Sequence, residues 1–157
     1  MRVLTAEETQ LALNVTTDAG GLGTEVVVSA FKINMTREML SCLAGRNWLN
    51  DEVVNFYREL MKERESNRMR TTGTPVEVLY MTSFFLAKLV SDEAGYQYSE
   101  VQRWTRNVDI FKLRCMIIPV HTINHWTLAV INFQAKTLAY YDSMGSDGRG
   151  ILETLFQ

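Results

Sequence analysis

CMIIPVHTINHWTLAVINFQAKTLAYYD, residues 115–142, decides the fold. It holds three apolar runs: Cys115 to Val120, His125 to Phe133 and Thr137 to Tyr141. β-Branched and aromatic residues dominate all three, and each is short enough to be a strand. Gln134-Ala135-Lys136 is short enough to close a hairpin between the second and third. Apolar residues at nearly every position predict central strands covered on both faces. A turn centred on Ala135 places His125 and Asp142 roughly opposite each other. Directly opposed residues have Cβ atoms about 4.5–5.5 Å apart. A carboxylate at that range accepts from one imidazole nitrogen and leaves the other free as a base. The same geometry also fits a His–Asp pair that only closes a hairpin.

Upstream, the signals are helical. Thr5-Ala-Glu-Glu8 has the form of a capping box opening a short helix. Gly20, Gly21 and Gly23 then break the chain; no Gly-Lys-Ser/Thr follows, so they do not form a phosphate loop. Glu25 to Phe31 reads as a strand, and Thr36 caps a short helix through Leu43 that Gly45 stops. Asn50 caps the clearest helix, with Asp51 and Glu52 at its positive end. Its apolar stripe is Val53, Tyr57, Leu60 and Met61. Ser66 to Pro75 is polar and punctuated by Gly73 and Pro75, which predicts a loop. A strand within Val76 to Met81 and short helices around Phe84–Leu89 and Val101–Thr105 are also expected. Helices first and strands later predict an α+β fold.

Composition narrows the function classes. The 157 residues are 46% hydrophobic and 22% charged, which suits one globular domain. A net charge of -2 lacks the clustered basic excess that nucleic acid or an anionic membrane demands. The Lys62, Arg64, Arg68 and Arg70 cluster is interleaved with Glu63 and Glu65, as on a solvated helix end. No apolar run approaches the length of a membrane span. Cys42 and Cys115 are too few for a disulfide framework, which suggests a reducing compartment, nuclear or cytoplasmic. His121 and His125 have a helical metal-site spacing, but Thr122 stands where a zinc protease needs Glu and Pro119 makes the segment strand-like. No metal and no cofactor are expected.

Four motifs in order carry a family resemblance. Trp48-Leu-Asn-Asp-Glu-Val-Val-Asn-Phe-Tyr57 resembles the WLNDEVINFY signature of the Ulp/SENP SUMO-specific cysteine proteases. Arg103-Trp104-Thr105 with Val108-Asp109-Ile110-Phe111 is similar to that family's RWT…VDIF stretch. Pro119-Val120-His121 with His125-Trp126 resembles its PVH…HW run, and Tyr140 to Gly145 its YYDSMG. The match is collinear from about Phe31 onward.

The resemblance implies a papain-like α+β cysteine protease fold and a Cys-His-Asp triad. It assigns the base to His125 and the orienting carboxylate to Asp142. It implies that Trp48 and Trp126 close over a diglycine tail; only glycine, with no Cβ, threads a slot between two indoles. It sets Asp51 against a basic residue of SUMO, and Phe31, Phe84, Arg103 and His121 near the SUMO-binding face. Implied partners are SUMO and SUMO-conjugated proteins, met by a monomer, with neither nucleic acid nor membrane. The family's Q-x-N-G-S-D-C-G nucleophile segment has no match here. Cys42 and Cys115 fall where small buried hydrophobes are expected. Residues 1–157 are therefore expected to be the N-terminal two-thirds of a single catalytic domain, inactive alone. Two alternatives are a non-catalytic SUMO-binding module and a protease for another modifier such as NEDD8.

Overall fold

The computed structural model describes residues 3–17, 21–91 and 93–157. Gly20, one of the predicted chain breaks, lies outside them. The chain forms two compact units, 1–57 and 58–157, and the boundary falls inside a long helix.

In the first unit, α1 (Ala6–Thr16) opens on the predicted capping box: Glu8 N–H donates to Thr5 Oγ1 at 3.2 Å, and Thr5 N–H to Glu8 Oε2 at 2.8 Å. Strands β1 (Val26–Ala30) and β2 (Ile33–Thr36) pair antiparallel through a two-residue turn. That turn is Phe31-Lys32, with φ of 55° and 63°. Two left-handed residues match the twist of a hairpin, but side chains there cost about 1–2 kcal/mol each. The Phe31 ring packs edge-on against Phe56 at 5.5 Å, a contact that offsets part of its strain. Lys32 is exposed. Lys32→Gly is therefore expected to stabilise the protein by about 1 kcal/mol. A urea melt with a raised midpoint and unchanged slope would show it.

Thr36 caps α2 (Arg37–Ser41), which ends earlier than the predicted Leu43; Gly45 follows at φ 64°. Arg37 grips Glu25 Oε2 through Nε and Nη2, at 3.0 and 2.9 Å. It also donates to the Asn14 carbonyl, tying the end of α1 to the ribbon. Asn50 accepts from Val53 N–H at 2.9 Å, capping α3 (Asp51–Thr72), while its amide donates to the Met39 carbonyl at 2.8 Å.

Helix α3 runs through residues 66–72, where the sequence predicted a loop. Polar residues there do not break it because their side chains satisfy one another locally. Glu65 pairs with Arg68 at 2.8 Å, and the Thr71 and Thr72 hydroxyls donate back to the Asn67 and Arg68 carbonyls. Gly73, at φ 70°, ends the helix with its N–H on the Met69 carbonyl.

The second unit holds a four-stranded sheet ordered β3 (Val78–Tyr80), β6 (Cys115–Thr122), β7 (His125–Asn132), β8 (Thr137–Tyr141). β3 runs parallel to β6, and the other neighbours are antiparallel. Between β3 and β6 come α4 (Phe85–Leu89), a small ribbon of β4 (Val90–Ser91) and β5 (Gly95–Tyr96), α5 (Tyr98–Val101) and two 3-10 turns. Helix α6 (Arg149–Phe156) follows the sheet.

One face of the sheet is the core. Met116, Ile118, Val120 and Ala129 are buried there against Phe85 and Leu89 of α4, with Ile151 and Leu155 of α6 packed alongside. The opposite face, Ile117, Pro119, Leu128, Val130 and Ala139, is half-buried, and β8 is an edge strand. This corrects the expectation of strands buried on both faces. Apolar residues at every position do not distinguish full burial from half-burial, and only side-chain depth separates them. Helices precede the sheet, so the fold is α+β as predicted.

Candidate active site

Strand pairing delivers His125 and Asp142 to the same face and the same end of the sheet. Ala129 faces Tyr140 and Leu128 faces Tyr141, the register a turn near Ala135 implies. Side chains alternate along a strand, so Asp142 points to the side of Tyr140, and His125 to the side of Thr127 and Ala129. The two are diagonal neighbours, within reach of an imidazole. His125 Nε2 and Asp142 Oδ1 lie 2.5 Å apart. The carboxylate side chain is 5% exposed and the imidazole 18%. Among the described residues nothing hydrogen-bonds His125 Nδ1. Asp142 therefore holds the proton on Nε2 and leaves Nδ1 a free acceptor.

Asp142 is itself held. Its Oδ1 accepts from Met144 N–H at 2.7 Å and its Oδ2 from Ser146 N–H at 3.3 Å. The Met144 amide, then the bond to His125, keep the carboxyl below the ordinary carboxylate range, against a smaller upward push from burial. These backbone donors were missed in the sequence reading. Asp142-Ser-Met-Gly145 is a turn signature, and an Asp that opens a turn bonds amides just ahead of it.

The sign of the pH effect follows. Because folding lowers the carboxyl's proton affinity, its stabilisation is fully present above the free-aspartate value, about 3.9. It is lost as pH falls through the lower folded value. Loss of the carboxyl's own charge is expected to move the Met144 and Ser146 amide resonances only below about pH 4. Asp142→Asn should abolish this acid transition in an NMR titration.

The remaining candidates are distributed over both units. His121 and Trp126 face each other across β6 and β7 and stack at 4.5 Å. They occupy the face opposite His125, so His121 and His125 do not converge as metal ligands. Among the described residues no three His, Cys, Asp or Glu gather around a point. Phe84, 51% exposed, precedes α4, and Arg103 is exposed in the 3-10 turn Gln102–Trp104. Phe31, Trp48 and Asp51 belong to the first unit: a hairpin turn, a 63% exposed indole ahead of α3, and its first residue.

Cys115 is not presented as a nucleophile to this pair. Cys115 faces Asn132 at the far end of the sheet from the Thr122–His125 pair, and on the opposite face. Burial pushes its thiol up, away from the reactive thiolate. Cys42 closes α2 with its thiol donating to the Met39 carbonyl.

The fold and the pair define a class: α+β chains with a histidine–carboxylate couple at one end of a mixed sheet, an arrangement able to activate a nucleophile. Within that class the chain belongs to the Ulp1 protease family; residues 47–155 match the model of that family's C-terminal catalytic domain. Human sentrin-specific protease 2 is 42% identical over 133 residues, covering 85% of this chain and 21% of the relative. A sentrin-specific protease of Caenorhabditis elegans is 35% identical over 137 residues, covering 87% and 18%. The chain thus spans about a fifth of these relatives' length. Solved structures share the fold, among them the following two. The Ulp1 protease domain in complex with SMT3, the yeast ortholog of SUMO, aligns with a TM-score of 0.75 at 24% identity, over 97% of this chain and 64% of that one. The Ulp1-like SUMO protease catalytic domain of Chaetomium thermophilum gives 0.67 at 22%, over 99% and 63%. Among the described residues no helix is long and apolar enough to cross a membrane.

Proposed function

We propose that this chain carries the acid–base half of a SUMO-specific cysteine protease. The observation behind the proposal is the 2.5 Å His125–Asp142 bond that leaves Nδ1 free, in a member of the Ulp1 protease family. The thiol comes from chain outside these 157 residues; Cys115, at the wrong end and on the wrong face of the sheet, supports that assignment. Residues 1–157 are then the front part of one catalytic domain.

In this mechanism Nδ1 takes the thiol proton. The thiolate attacks the carbonyl carbon of the modifier's C-terminal glycine, forming a C–S bond and a tetrahedral oxyanion. The C–N bond breaks as the Nδ1 proton passes to the departing lysine amine. Water, deprotonated by the same nitrogen, then releases the glycine carboxylate and regenerates the thiol. Asp142 stabilises the imidazolium through both steps. The family resemblance assigns Trp48 and Trp126 to the diglycine, and Asp51, Phe31, Phe84, Arg103 and His121 to the body of the modifier. The reaction needs a reduced thiol, consistent with the nucleus or cytoplasm.

A panel of modifiers bearing a C-terminal fluorogenic amide tests the substrate assignment. With the thiol-bearing segment joined to this chain, SUMO should be hydrolysed and NEDD8 should not. Turnover of NEDD8 alone would overturn the substrate and retain the chemistry. Binding of SUMO without turnover would make the protein a binding module.

A further inference from the structure

We infer that Gly148 is a positioning residue for the His125–Asp142 pair. It acts by seating the 142–148 loop on the ring of Tyr140. Gly148 is buried at φ 60°. A Cβ there would lie 2.3 Å from Cδ1 and Cγ of Tyr140 and 2.7 Å from Cδ2. Those atoms belong to a rigid ring packed on the core, not to a flexible tip.

Tyr140 lies in β8 two residues before Asp142, which follows the end of the strand, and the alternation of extended chain sends both side chains to the same side. The loop therefore leaves the sheet at Asp142 and returns to it at Gly148. Its return is fixed on both sides, because the Gly148 amide donates to Ser146 Oγ at 3.3 Å and its carbonyl accepts from Leu152 N–H at 3.0 Å, opening α6. Within this closed loop lie the two amides that hold Asp142. The Ser146 amide is already at 3.3 Å, so lifting the loop by a few tenths of an ångström breaks it. A side chain at 148 is thus felt at the carboxylate.

Gly145 supplies the control. Its φ is 84°, as left-handed as Gly148, but nothing lies within 4 Å of its would-be Cβ. Alanine there brings backbone strain without the collision.

The experiment compares Gly148→Ala, Gly145→Ala, Tyr140→Leu and the double variant Gly148→Ala/Tyr140→Leu in this chain. Imidazole ¹⁵N spectra report the His125 tautomer, and hydrogen exchange reports the Ser146 amide. Gly148→Ala should lose the single Nε2–H tautomer and speed Ser146 exchange at least tenfold. Gly145→Ala should lower the melting temperature and leave both readouts unchanged. Making room with Tyr140→Leu should restore both in the double variant. Should Gly148→Ala fail to fold, the double variant against Tyr140→Leu alone carries the test, with matching His125 spectra expected. A wild-type tautomer in folded Gly148→Ala, an equal disturbance by Gly145→Ala, or no rescue would each overturn the inference. The catalytic consequence rests on the protease reading, but the spectra do not. Their expected pattern in a protein that hydrolyses no modifier would uphold Gly148's role and reject the protease.

Discussion

His125→Ala, made in the chain joined to its thiol-bearing segment, should lower kcat/KM toward SUMO amides by about 10³-fold or more. A general base of this kind contributes roughly 10²–10⁴-fold, and in the proposed mechanism it would serve both acylation and deacylation. The fold should tolerate the change. Asp142 keeps the Met144 and Ser146 amides as partners, so removing the imidazole does not strand a buried charge. A melting temperature within a few degrees of wild type, beside a collapse in rate, would assign His125 to chemistry rather than architecture. Equal losses of both would assign it to the hairpin.

The second large effect separates two substitutions of one residue. Asp142→Ala removes the acceptor for three donors at once and frees the imidazole to rotate, for a loss of about 10²–10⁴-fold. Asp142→Asn should cost less, about 10–100-fold. One carboxamide oxygen in the place of Oδ1 still accepts from both His125 and Met144, keeping the Nε2–H tautomer. What it loses is the negative charge facing the imidazolium and the long Ser146 bond. Steady-state rates for the two variants, with imidazole ¹⁵N spectra to check the tautomer, measure this. Equal losses would mean that Asp142 acts by charge alone.

The His125–Asp142 pairing was legible in the chain because it is local. The Ala135 turn fixes the register of β7 and β8, and register with side-chain alternation brings His125 to Asp142. Thr5, Thr36 and Asn50 cap helices where their hydroxyl or amide chemistry says they should. What could not be read depends on satisfaction at a distance or on depth. Residues 66–72 look like a loop until Thr71, Thr72 and the Glu65–Arg68 pair are seen to satisfy the helix from within. The β4–β5 ribbon has only two residues per strand, too few for any periodicity to register. Half-burial of Ile117 and Val130 is invisible in residue type. Gly148 reads as one more turn glycine, and its contact with Tyr140 exists only after the loop closes on β8.

The most direct measurement is covalent labelling by SUMO bearing a C-terminal vinyl sulfone. It is run on residues 1–157 and on the chain extended through its thiol-bearing segment, each with and without His125→Ala. The account predicts an adduct only in the extended chain, abolished by His125→Ala. An adduct on Cys42 or Cys115 of residues 1–157, or labelling of the extended chain indifferent to His125, would contradict it.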